Sequence, residues 1–176
     1  MAICNALNAN VTKSCENNVG GVNKIYIADF ANVTGHTIAG TPEEITAITL
    51  AASTYFYEFQ FNRNTSSFDE ATKIDLNSGS TYFEQTVNLM LNRRDKTKRD
   101  AIEKLVAGQK QLAVIVLDSN GVYWFIGLGN GAYATEITGG TGIAKADKNG
   151  YSIKLVAEET AQAYEVDSTI ISALLA

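Results

Sequence analysis

Apolar and polar residues alternate with period two in several separate stretches of the chain. Lys24–Asp29, KIYIAD, sets Ile25 and Ile27 on one face and Tyr26 and Ala28 on the other, which predicts a first strand. A turn-rich stretch follows from Asn32 to Pro42, and Ile45–Leu50 predicts a short second strand. The clearest alternation is Thr54–Asn62, TYFYEFQFN. Tyr55, Tyr57, Phe59 and Phe61 share one face there, and Phe56, Glu58 and Gln60 share the other. Aromatics at this spacing favour a strand. Thr81–Asn92, TYFEQTVNLMLN, alternates again, with Phe83, Val87, Leu89 and Leu91 against Tyr82, Glu84, Thr86 and Asn88. The two long strands read as a hairpin with an outsized loop, Arg63–Ser80. Loops beyond about 12–15 residues are uncommon in compact domains and usually functional or disordered. This loop carries Phe68, Ile74 and Leu76 among polar residues. Either they tuck back under the loop, or they dock on a neighbouring subunit.

The pattern changes once to helical spacing. Ala101, Ile102, Leu105 and Val106 form one apolar stripe over Lys96–Ala107, with Asp95 placed as N-cap and Gly108 as the left-handed stop. One stripe packs one helix on one sheet face. Gln111–Asp118, QLAVIVLD, is a continuous apolar run and predicts a buried strand. Asp118-Ser119-Asn120-Gly121 predicts a hairpin turn, and Val122–Leu128 returns. A glycine-rich link, Gly127–Gly142, and the turn Asp147–Gly150 lead to a last strand, Tyr151–Ala157. Thr160–Ala176 starts extended and ends in IISALLA, a strand or a short helix. The first residues are polar, Asn-rich and end in Gly20-Gly21, so they read as an extended arm, loose or pinned against a neighbour. The predicted organisation is an arm (1–22), a β domain (23–159) and a C-terminal extension (160–176). The fold class is mainly β with one flanking α-helix, two packed antiparallel sheets in a sandwich or barrel, and a long hairpin loop.

Composition narrows the function classes. The chain has 176 residues, 45% apolar and 19% charged, which fits one globular domain. Its net charge of −5 argues against gripping nucleic acid, which needs clustered Lys and Arg. The one basic cluster, Arg93, Arg94, Lys96, Lys98 and Arg99, reads as the solvated start of the helix. Like charge would instead let DNA pass without sticking. Met1–Ala9 lacks the features of a signal peptide, and no apolar run is long enough to span a membrane. Cys4 and Cys15 are expected as thiols, with a bridge as the alternative.

Candidate chemistry is sparse. Gly127-Leu128-Gly129-Asn130-Gly131 resembles a phosphate loop only loosely, having no Walker lysine and no helix pattern after it. The Asp118 and Asp147 turns lack the further oxygen ligands calcium needs. His36 is the lone histidine, and two cysteines with it do not make a zinc site. Glu43-Glu44 and Glu158-Glu159 point to opposite faces on a strand and read as solvated charge. No catalytic, metal-binding or cofactor-binding residue is expected, and the chain reads as a non-enzyme.

The order from Asn92-Arg93-Arg94-Asp95 through the helix, LAVIVLDSNG, VYWFIGLGNG and TGIAKADKNGYSIKL resembles the tail tube (major tail) proteins of tailed bacteriophages. Gly20-Gly21-Val22 to Asp29 resembles that family's opening strand, and Thr54–Asn92 its long hairpin. The Asn-rich arm with Cys15-Glu16-Asn17-Asn18 is similar to structural proteins of crAss-like phages of Bacteroidota, whose short tails use ring proteins. The resemblance implies a virion structural protein of the tail, assembled in the host cytoplasm, in which a hexameric or dodecameric ring encloses a channel for DNA. The alternative is another virion component, a head–tail adaptor or capsid decoration protein. Implied partners are copies of the chain and adjacent tail or connector proteins; DNA passes without specific binding, and no membrane is involved. Candidate interface residues are Tyr55, Tyr57, Phe68, Ile74, Leu76 and Phe83. Candidate channel-lining residues are Glu58, Gln60, Glu84, Gln85 and Asn88.

Overall fold

The structure, a computed structural model, describes residues 10–176, so Cys4 and its potential bridge lie outside the described residues. In chain order the first strands are β1 (Val22–Asp29), β2 (Val33–Ala39), β3 (Glu44–Leu50), β4 (Tyr57–Phe59), β5 (Ser67–Asp75) and β6 (Ser80–Asn92). Helix α1 (Lys96–Val106) follows, then β7 (Leu112–Asp118), β8 (Tyr123–Ile126), β9 (Tyr133–Gly140), β10 (Gly150–Glu159), β11 (Tyr164–Val166) and helix α2 (Ser168–Leu174). They form a seven-stranded sheet in the order β2-β3-β11-β8-β7-β1-β4 and a four-stranded sheet in the order β5-β6-β10-β9. The chain is thus mainly β, with two packed sheets and a flanking helix, as the alternation predicts. The sheets stack as an open sandwich.

The continuous apolar run of β7 is explained by its position. Leu112, Val114 and Val116 face the core between the sheets, while Ala113 and Ile115 face a second core on the far side of the seven-stranded sheet. A strand buried on both faces cannot alternate. On its neighbour β1, Ile25 and Ile27 join the first core, and Tyr26 and Ala28 the second. The four-stranded sheet closes the first core with Val87, Leu89, Leu91, Ile153 and Leu155. Helix α2 covers the second with Ile171 and Leu174. At ~25 cal/mol per Å² of buried apolar surface, each such aliphatic side chain stabilises the fold by about 1.5–3 kcal/mol.

Helix α1 begins where its cap requires: the Asp95 carboxylate accepts the Lys98 N–H at 2.8 Å. Ile102 and Leu105 are buried against the first core, whereas Val106 is exposed and lies outside the stripe assigned to it. Gly108 takes the left-handed conformation that ends the helix, φ 69°.

Several expectations are corrected. Thr54–Asn62 does not run as one strand. Phe56 is buried in the second core and tied to the end of α2 through its N–H to the Leu174 carbonyl. Phe59 and Phe61 pack against the first core, on the opposite face of the same sheet as the alternation predicts, but the segment pairs with β1 over three positions only. The stretch assigned to an outsized loop is largely strand: β5 pairs with β6 in register from Ser67↔Asn88 to Asp75↔Ser80. The long hairpin is therefore β5–β6, with a short tip at Leu76–Gly79. Polar strand residues with an exposed outer face carry little hydrophobic signal, which hid β5. The Asn32–Pro42 stretch contains β2, and the glycine-rich link contains β9. Gly139 within β9 is there because a Cβ would come within 2.8 Å of the Tyr151 ring. Residues 160–176 are not an appendage: β11 lies between β3 and β8, parallel to the former and antiparallel to the latter. IISALLA is resolved in favour of helix, α2.

Candidate functional site

The candidate residues fall into three places. The first is the β5–β6 hairpin, which runs past the end of β10, whose last partner on β6 is Phe83. Beyond it Ile74 is 64% and Leu76 91% exposed, so neither tucks back. Phe68 does, half-buried opposite Val87 and against the first core. Asp75 shapes the tip: its carboxylate accepts the Asn77 N–H at 2.8 Å, and this backbone donor first, then the Ser78 groups, hold it below its ordinary pKa.

The second place is the outer face of the four-stranded sheet. Glu84 and Asn88 lie on it, with Thr86, Lys154, Glu158 and Glu136 across the ladders. Acidic residues (Asp69, Asp75, Glu84, Glu136, Glu158) outnumber the lysines Lys73 and Lys154. Gln85, also expected on a channel wall, has opposite parity and is 2% exposed. Its amide donates to the Glu70 carboxylate at 3.1 Å and to the Ala161 carbonyl, and its carbonyl accepts the Gly127 N–H at 3.1 Å. The Ala163 N–H also donates to Glu70, at 2.8 Å. This buried junction ties the four-stranded sheet to the β8–β9 loop and to the segment entering β11.

The third place is an open groove of about 770 Å³ between α1, β1 and β4. Tyr55, Tyr57, Glu58 and Gln60 converge there, on the seven-stranded sheet. Glu58 and Gln60 therefore cannot share a channel wall with Glu84 and Asn88 of the same chain. Tyr57 is 56% exposed at the free edge. Phe83 is half-buried and belongs instead to a pocket of about 510 Å³ at the base of the hairpin, with Trp124, Tyr164 and Glu43.

The glycine-rich Gly127–Gly131 loop holds an anion, but one of the protein's own. Glu159 is buried, 7% exposed, and its carboxylate accepts the N–H groups of Gly129 and Asn130, the latter at 2.8 Å. The expectation of solvated charge at Glu158-Glu159 holds for Glu158 and fails for Glu159. Gly127 adopts φ 74° and a Cβ there would meet the Ala132 nitrogen at 2.6 Å, so this turn needs glycine. The Asp118 turn is organised the same way, with Asp118 Oδ1 accepting the N–H groups of Asn120 and Val122, each at 2.9 Å. Asp147 accepts those of Ile143 and Ala144, and these backbone donors, Ala144 first, keep its pKa low. His36 lies exposed on β2. Among the described residues no group of three His, Cys, Asp or Glu side chains converges as a metal site, and no helix is long and apolar enough to cross a membrane. Comparison with family models, curated proteins and solved structures finds no match to this chain.

Proposed function

We propose that the chain is a structural protein of a bacteriophage virion, a tail-tube-like subunit whose copies close into a hexameric or dodecameric ring around a DNA channel. The observation that carries this reading is the four-stranded sheet. It is antiparallel throughout, so its free edges, β5 and β9, run antiparallel to each other. Setting β9 of one copy beside β5 of the next continues the same alternation indefinitely, and closing the circle removes both edges. Its inner face is core; its outer face is polar with an acidic excess, suited to a duplex that must slide without binding. The strand pair assigned to the channel from sequence is replaced by this sheet, with Glu84 and Asn88 retained as lining residues. The role is mechanical and needs no catalytic group or cofactor, and the place of action is the virion tail.

Electron microscopy of the purified chain tests the reading. Rings or tubes with a central hole are expected. Unperforated oligomers favour the adaptor or decoration alternative, and monomers at the highest soluble concentration overturn assembly altogether.

A further inference from the structure

The two ends of the sandwich differ in charge and closure. At the Leu91 end α1 closes the core with Ile102 and Leu105. There Arg93, Arg94, Lys96 and Arg99 and the loop with Lys145 and Lys148 are exposed, while Lys98 is half-buried and paired with Asp95. Among the described residues no carboxylate lies within ion-pair distance of Arg93 or Lys96. At the Phe83 end the connection from β10 to β11 crosses between the sheets and borders a pocket. Glu44, Glu165 and Trp124 form a row across β3, β11 and β8, and the pocket they line with Glu43, Phe83 and Tyr164 contains no basic residue.

This end also bears an electrostatic cost. Glu44 sits directly beside Glu165, and Glu84 directly beside Glu158. Like charges opposite one another in a sheet are destabilising. Lys73 offsets only the second pair, through Glu84 at 3.4 Å. An arginine or lysine entering the pocket would meet carboxylates together with the aromatic side chains Trp124 and Phe83, and aromatic rings also attract cations.

We infer that the open acidic pocket of one copy receives the Arg93–Lys96 corner of a second copy, joining the chains head to tail. The same corner cannot serve its own pocket. Asn92 pairs with Gly150 and Phe83 with Glu159, at opposite ends of β6, about 30 Å apart at a rise of ~3.3 Å per residue. A contact between two different surfaces of one chain closes into a ring where its rotation allows and otherwise propagates along an axis; the pocket and the corner lie at opposite ends of β6, so this one propagates. In the proposed assembly this is the stacking contact between rings, distinct from the β5–β9 contact within a ring, and it deepens that reading by naming both partners.

The test uses the full chain in sedimentation velocity, with electron microscopy of the same samples. Stacking should weaken as salt rises from about 0.1 M to 1 M, over which the screening length falls from about 10 Å to about 3 Å. Glu43→Lys with Glu165→Lys, and separately Arg93→Glu with Lys96→Glu, should each weaken head-to-tail association about tenfold or more. Mixing the two double variants should restore it, since each then supplies what the other lacks. The restoration also shows that both variants fold. Wild-type stacking in either variant, or no restoration on mixing two variants that unfold like wild type, overturns the inference. Single rings that no longer stack support it. Head-to-tail chains formed without rings would support it while overturning the ring reading.

Discussion

Glu159 accepts the backbone N–H of Gly129 through both carboxylate oxygens, at 3.1 and 3.2 Å. The contact fixes the β8–β9 loop onto the last residue of β10. Replacing Glu159 with Ala would leave the Gly129 and Asn130 donors without their acceptor, at a cost of about 1–3 kcal/mol. Glu159→Gln keeps one acceptor and should cost less. Gly129→Ala should also destabilise, because its Cβ would lie 2.7 Å from a Glu159 oxygen. Urea unfolding midpoints order these variants; an unchanged midpoint for Glu159→Ala would reject the role.

Gln85 tests the buried junction. Gln85→Leu removes the acceptor of the buried Gly127 N–H and one partner of Glu70. The expected loss is about 2–4 kcal/mol, being more than one unsatisfied polar group. Glu84→Gln, on the outer face, should lie within about 0.5 kcal/mol of wild type. If the two neighbours prove equal in chemical denaturation, the parity assignment of β6 is wrong.

The hairpin tip should separate folding from assembly. Ile74→Asp with Leu76→Asp alters exposed residues and should leave the melting temperature nearly unchanged. The proposed function predicts that assembly weakens all the same, measured by light scattering. A large loss of thermal stability would mean the tip packs on its own chain.

Acid should loosen the capped turns together. Asp95 and Asp167 both have pKa values lowered from 3.8, chiefly by the backbone N–H of Lys98 and of Thr169 respectively. A folded pKa below the unfolded one gives stability that is full above the unfolded value and lost as pH falls through the folded one. Stability should therefore hold down to about pH 4 and decline below it. Asp95→Asn should lower stability at neutral pH and flatten the acid decline, followed by far-ultraviolet circular dichroism against pH.

Removal of residues 160–176 should prevent folding. Val166, Ile171 and Leu174 are buried in the second core, and β11 joins β3 to β8. A truncated chain that still unfolds cooperatively would show the sheet closing without β11.

The elements best legible in the sequence were those that bury a face. Lys24–Asp29, Thr81–Asn92 and QLAVIVLD were found because one or both faces are core, and α1 because Asp95 and Gly108 punctuate it. Strands at the sheet edges were missed for the converse reason. In β5 all residues from Asp69 to Asp75 are exposed, and in β9 Gly139 stands where the Tyr151 side chain approaches. In Thr54–Asn62 the faces were legible, Phe56 against the second core and Phe59 against the first, but alternation reports faces and not partners, so the three-position pairing with β1 was not. Among the candidate residues, Ile74 and Leu76 are exposed and Glu84 and Asn88 lie on the outer face. Gln85 was excludable by parity alone, since it shares its side of the strand with Val87 and Leu89. The acidic end was invisible because Glu44, Glu165 and Trp124 become neighbours only through β11.

That late strand also orders events in time. β2-β3 and β8-β7-β1-β4 remain two separate pieces of sheet until Tyr164–Val166 has been synthesised. The wall that carries Glu44 and Glu165 does not exist before then. If the proposed head-to-tail contact forms, polymerisation waits for this strand, a delay written into the order of strands.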